Sequence, residues 1–286
     1  MNKILKKSIF FLFVISISLT LVASNGISHR VSSNIKTTED CLIESTSGSI
    51  NNPCTQPTPT LITPYITPTP NLNLPVKDRF LTAITNKLPS IPTPGTFEYI
   101  LLRQYGAAFI NINPNIKLPP KVLFVNDQET KSYQATLAMG AVNSGRNCYL
   151  QKSAADALNN SMKQVKFSLK SGYGASDCTR NYETNLRFWR KYANNNTLEQ
   201  VKQGKETAIL SVVAPPGTSQ HLWGLAVDLR VSTQAQRQAL NQNGWFQTVE
   251  NDVPHWTYLG VTEDSLSQWG FQKKIVRGIL YWLTPL

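Results

Sequence analysis

Pro216-Gly217-Thr218-Ser219-Gln220-His221-Leu222-Trp223-Gly224-Leu225-Ala226-Val227-Asp228-Leu229 is the stretch on which the reading of this chain turns. Taken as a strand entered at His221, it puts Trp223, Leu225, Val227 and Leu229 on one face, to be buried. Gly224, Ala226 and Asp228 fall on the other, because side chains alternate along a strand. A carboxylate flanked by the two smallest residues has room beside it for a metal ion and a substrate. Further along lies Asp252-Val253-Pro254-His255-Trp256-Thr257-Tyr258. Pro254 favours extended geometry at Val253 and stiffens the approach to His255. Asp252, three residues before that histidine, is near enough to be an outer partner of a metal or to stand beside its water. Taken singly, an acid on a half-exposed strand or a histidine beside a tryptophan is ordinary. Three histidines in the whole chain make coincidence a poor account: His29 lies in the N-terminal leader, and both others fall in these two segments. Two imidazoles and one carboxylate, with a fourth position for water, form a standard set for catalytic zinc. H-E-x-x-H, G-x-S-x-G and a Walker loop do not occur in the sequence, so those catalytic routes have no support.

Around these segments the apolar spacing predicts mixed helices and strands without regular βαβ alternation, which argues for an α+β fold. Strand formers dominate 96–112, and 126–142, 151–163 and 179–194 have helical spacing, the last with Leu186 and Trp189 on its buried side. Residues 166–170 alternate as a strand running into a turn at Ser171-Gly172-Tyr173-Gly174. Strands are expected over 223–231 and 255–259 with a short helix between them. A closing helix is expected over 262–283, interrupted by Gly270 and Gly278.

The N-terminus carries an address. Lys3, Lys6 and Lys7 precede an uncharged apolar run from Ser8 to Ala23, which reads as a signal peptide or an uncleaved N-terminal anchor over residues 1–24. Either reading sends the remainder out of the cytoplasm. Residues 25–77, rich in Pro, Thr and Ser, read as a spacer, and ordered sequence starts near Asp78. The net charge of +11 favours anionic partners, and export removes nucleic acid from among them. Four cysteines allow three pairings; the local ones, Cys41 with Cys54 and Cys148 with Cys178, are expected in an oxidising compartment.

Ser219, His221, Gly224, Ala226 and Asp228 spell S-x-H-x-x-G-x-A-x-D, a pattern that resembles the zinc D-alanyl-D-alanine carboxypeptidases related to VanY. That family also carries Ser-Gly-Tyr/Phe-Arg-Ser upstream and acid-x-x-His-Trp downstream. Ser171-Gly172-Tyr173 and Asp252-Val253-Pro254-His255-Trp256 stand in the matching order, so the resemblance spans roughly residues 140–260. It implies an α+β zinc peptidase fold of the VanY/hedgehog-like type, an antiparallel sheet flanked by helices, within a catalytic domain over 78–286. It further implies Zn2+ held by His221, Asp228 and His255, with Asp252 as the acid that moves the proton. Arg180 would bind the substrate carboxylate, and Ser219 would orient His221 or touch substrate. The implied substrate is the D-alanyl-D-alanine end of a peptidoglycan stem peptide, with anionic wall polymers as further partners and membrane contact only through an uncleaved N-terminus. Two departures stand out. Gly174 occupies the place of the family's arginine, so Gly174–Thr179 reads as an insertion pinned by Cys178, with Arg180 taking that place. Asp252 stands where the carboxypeptidases usually have Glu, which is more like the related L-alanyl-D-glutamate endopeptidases. A non-catalytic wall-binding module of the same fold is the remaining alternative.

Overall fold

The computed structural model describes residues 69–143 and 146–286. The readings of a leader, of most of the spacer and of a Cys41–Cys54 bridge lie outside these residues. In chain order come α1 (Val76–Ile84), α2 (Phe97–Tyr105), a 3-10 turn (Gly106–Ile110) and α3 (Asp127–Gln134). The paired strands β1 (Met139–Ala141) and β2 (Tyr149–Gln151) lead into α4 (Lys152–Gln164), then β3 (Ser168–Leu169) and the one-turn α5 (Gly174–Asp177). Next are α6 (Tyr182–Tyr192), α7 (Asn195–Lys202) and 3-10 turns at Ala208–Ser211 and Gln220–Trp223. Last come β4 (Ala226–Arg230), α8 (Gln234–Gln242), β5 (Trp245–Phe246), β6 (His255–Tyr258), α9 (Glu263–Gln268) and the hairpin of β7 (Gln272–Val276) and β8 (Ile279–Leu283). Among the described residues no helix is long and apolar enough to cross a membrane.

The organising sheet is antiparallel, in the order β3-β4-β6-β5. Its register sets Ala226 opposite Thr257, Val227 opposite Trp256 and Asp228 opposite His255. Alternation then sends Val227, Leu229 and Trp256 into the apolar core, and puts Asp228 and His255 together on the other face.

Four expectations need correction. Residues 97–105 form a helix, not a strand: Thr96 caps it by accepting from the Tyr99 N–H, and Ile100, Leu101, Leu102 and Tyr105 are all buried. Ile100, Leu101 and Leu102 are buried in succession, and a short continuous apolar run has no period to separate helix from strand. The helix expected over 126–142 ends at Gln134, and Met139–Ala141 pairs with β2 instead. On α6, Trp189 is buried as expected, but its buried companion is Asn185 while Leu186 is half-buried. Asn185 is committed to backbone, donating to Ala214 O and accepting from Gly217 N. The closing helix stops at Gln268, and a hairpin follows. Gly270 adopts φ 88°, while Arg277 and Gly278 adopt φ 51° and 77°, the positive-φ pair that turns a two-residue hairpin.

The N-terminal and C-terminal parts of the described chain interlock. Phe80 meets Phe271 edge to face at 5.5 Å, and Arg79 donates to Leu74 O and Gln268 O. The Thr284 hydroxyl donates to Arg103 O.

Candidate metal centre

His221 does not enter on a strand. It sits in the 3-10 turn Gln220–Trp223, where Ser219 Oγ accepts from the His221 backbone N–H at 3.4 Å. Gly224 ends the turn with φ 66°, and a Cβ there would lie 3.2 Å from the Gln151 backbone N. The expectation that Gly224 shares the face of Asp228 and clears room beside it is therefore wrong. Glycine is required for the left-handed turn and the close approach. Asp228 and His255 come from β4 and β6, held opposite each other by the sheet register.

These three devices bring His221 Nε2, His255 Nδ1 and Asp228 Oδ1 into one cluster. The two nitrogens are 3.2 Å apart, and they lie 3.3 and 3.6 Å from the carboxylate oxygen. Donor atoms bound at ~2.0–2.1 Å around a tetrahedral metal are separated by roughly 3.3–3.4 Å, so the spacing fits zinc. The protonation pattern fits as well. His221 Nδ1 lies 2.8 Å from Cys178 O, which only accepts, so that nitrogen carries the proton. His255 Nε2 lies 2.7 Å from Gln220 Oε1. The orientation of the Gln220 amide is fixed because its nitrogen donates to Tyr105 O and its oxygen also accepts from the Thr257 hydroxyl. With both outer nitrogens protonated, the inner nitrogens are left as the lone-pair atoms that face the carboxylate oxygen. Three acceptors facing one another in a buried site repel unless a cation joins them, and outer partners of this kind are what orient metal-binding imidazoles.

The charges agree with this picture. Burial, with Arg180 adding to it, lowers the His221 pKa to about 4, so the ring is neutral at pH 7. Burial opposes ionisation of Asp228. Positive charge beside it, from His221 when that ring is protonated and from the Arg180 guanidinium throughout, outweighs burial and holds the carboxyl well below the usual carboxylate range. Arg180 reaches the second oxygen, Oδ2, through Nη2, while its Nε donates to Ser176 O. Asp228 thus turns one oxygen to the arginine and the other to the two imidazoles. Burial, helped by nearby Asp228 and opposed by His255, Lys170 and Arg180, pushes Asp252 up to about 6.

A cavity of about 320 Å3 opens over the cluster, lined by Asp252, Arg180 and Ser219 together with His221, Asp228 and His255.

 Three larger clefts, of about 630 Å3 between α8 and the C-terminal hairpin, about 660 Å3 beside residues 88–92 and about 660 Å3 around residues 146–147 and 171–175, hold no histidine. Chemistry rather than volume therefore marks the site. The structure brings together all six residues singled out from the sequence. A Cβ at Gly174 would fall 2.4 Å from Asn147 C and Cys148 N, so no side chain fits directly after Ser-Gly-Tyr. The Cys148–Cys178 bridge is formed. Asp177 pins the Ser-Gly-Tyr turn by accepting from Ser171 N, Ser171 Oγ and Gly172 N.

Sequence reasoning missed Gln220, Asp177 and the Cys178 carbonyl. Gln220 is fully buried, and its place between Ser219 and His221 was the one signal available for it. A backbone carbonyl leaves no signal at all.

Residues 147–261 match the family model described as VanY, D-alanyl-D-alanine carboxypeptidase. Among solved structures, similarity is found to a crystal structure of the vancomycin resistance D,D-dipeptidase VanXYg in complex with a D-Ala-D-Ala phosphinate analogue. Identity is 16%, the alignment covers 46% of this chain and 65% of that one, and the TM-score is 0.27. The chain thus spans just under two thirds of that protein's length. No curated protein matches the sequence.

Proposed function

We propose, from the premise that residues 147–261 are a VanY-type domain, that the protein is an exported zinc peptidase acting on peptidoglycan stem peptides as a D-alanyl-D-alanine carboxypeptidase of the VanY/hedgehog-like fold. The observation that carries this reading is the cluster of three acceptor atoms, His221 Nε2, Asp228 Oδ1 and His255 Nδ1, with both outer imidazole nitrogens already engaged. These residues would hold zinc, which when bound supplies a Lewis acid for the scissile carbonyl and acidifies the attacking water.

The chain's own side chains supply the remainder. Asp252 accepts the water proton at its carboxylate and returns it to the leaving amine; burial, which lifts its pKa to about 6, keeps the acid able to give the proton back. Arg180 uses two of its five N–H donors on Ser176 and Asp228, leaving three to bind the C-terminal carboxylate of a peptide. Ser219 caps the turn that presents His221. Lys170 and Lys191 at the cavity wall add positive charge for an anionic substrate.

Defined muropeptides, incubated with the purified protein and analysed by mass spectrometry with and without a chelator, test the proposal. Chelator-sensitive loss of one terminal alanine is the expected result. A cut between L-alanine and D-glutamate would assign the endopeptidase activity that the Asp252-Val253-Pro254-His255 pattern resembles. Zinc-loaded protein that cuts neither bond would make the domain a wall-binding module.

A further inference from the structure

We infer that the Cys148–Cys178 disulfide is a positioning device for the metal centre, fixing the orientation of His221 through the carbonyl of Cys178; this rests on the zinc reading above. The segment Cys178–Arg180 touches two of the three ligand residues. Cys178 O accepts the Nδ1–H of His221 at 2.8 Å, and Arg180 N donates to His221 O at 3.2 Å. The Arg180 guanidinium holds Asp228 Oδ2. A displacement of this segment would therefore disturb the ring of one ligand, its backbone and the carboxylate of another together.

Little in the segment's own secondary structure resists such a displacement. The helix before it, α5, is one turn of four residues, too short to be stable on its own. What fixes it is attachment to the chain around Cys148. Gly174 N donates to Arg146 O at 3.2 Å, and Thr179 donates to Tyr149 O through both its backbone N–H and its hydroxyl. The disulfide, with both cysteines buried and their Cα atoms 5.4 Å apart, closes the clamp. Gly174 lets the two backbones approach closely enough for the bridge. Cys178 is thereby crosslinked at its side chain while its carbonyl faces the histidine. A crosslink that served stability alone would act through the unfolded chain and would leave the metal affinity of the folded protein unchanged.

The test compares the full oxidised chain with a Cys148→Ser/Cys178→Ser variant, which leaves Cys41 and Cys54 in place. Zinc dissociation constants are measured by competition with a chromophoric chelator, at a temperature where circular dichroism shows both proteins folded. Loss of an outer partner's hold on a metal-binding histidine predicts binding weaker by about 10–100-fold. A second measurement follows the His221 Nδ1–H resonance by nitrogen-15 NMR in the wild-type chain before and after reduction by a phosphine, and needs no variant to fold. The expected result is a slowly exchanging signal that shifts or is lost on reduction. Zinc affinity within twofold of wild type in the folded variant, or an Nδ1–H signal unaltered by reduction, would overturn the clamp and leave the zinc reading standing. An oxidised wild-type chain that binds no zinc would overturn both.

Discussion

Replacing Gln220 with Leu removes the acceptor that holds the Nε2–H of His255, at 2.7 Å, and the donor to Tyr105 O, also at 2.7 Å. Thr257 loses one partner as well but keeps Thr248, at 2.8 Å. Two buried polar groups are thus orphaned, each at about 1–3 kcal/mol, for a total of roughly 2–6 kcal/mol. For a folded region of this size each kcal/mol lowers Tm by about 2–4 °C, so a fall of roughly 4–24 °C is expected by calorimetry. Because His255 is then free to rotate, zinc binding should also weaken by about 10–100-fold. Gln220→Glu separates the two effects. Its carboxylate still accepts from His255 while losing the bond to Tyr105 O, so it should melt earlier yet bind zinc at least as tightly as wild type. Titrations of both variants against a competing chelator give the answer. Equal zinc affinity in Gln220→Leu and wild type would refute the assignment of Gln220 as the partner that orients His255.

His255→Ala removes one of three converging ligands and should leave the purified protein with substoichiometric zinc by elemental analysis; full occupancy would place the metal elsewhere. Asp252→Asn should keep its zinc and its circular dichroism spectrum while turnover of a stem peptide drops by at least about 100-fold, the lower scale for a general base. If that variant loses its metal instead, Asp252 is a ligand and the role of Asp228 has to be reassigned. Gly174→Ala pushes a Cβ into the backbone of residues 146–148 and should destabilise the fold by about 1–3 kcal/mol or more. A melting temperature equal to wild type would show that the approach is looser than the geometry indicates.

The parts of the fold that the sequence revealed are those with a pattern. Strands β4 and β6 alternate, α4 has its apolar residues at helical spacing, and the histidines are too few to scatter by chance. Residues 97–105 conceal their helix because Ile100, Leu101 and Leu102 are buried in succession, so the apolar signal is continuous. The C-terminal hairpin is concealed for another reason. Gly270 and Gly278 read as weak points in a helix, whereas each occupies a positive-φ position that a turn requires. At the site, side chains with distinctive chemistry were legible. The groups that orient them were not, because a buried amide and a main-chain carbonyl look the same in sequence whether or not they face a histidine.

The interlocked ends of the described chain bear on how portable this site is. The matched stretch, 147–261, contains all three residues of the acceptor cluster, so it looks like a module that could be lifted out and grafted elsewhere. It could not be moved intact. The Tyr105 carbonyl that fixes the Gln220 amide lies upstream of it, as does Gly217's close neighbour, the backbone of Phe124. Trp282 N, downstream, donates to Gln247 O. A transplant cut at the family boundaries would carry the ligands away from part of the scaffold that aims them, and the smallest inheritable unit of this centre therefore reaches at least from α2 to β8.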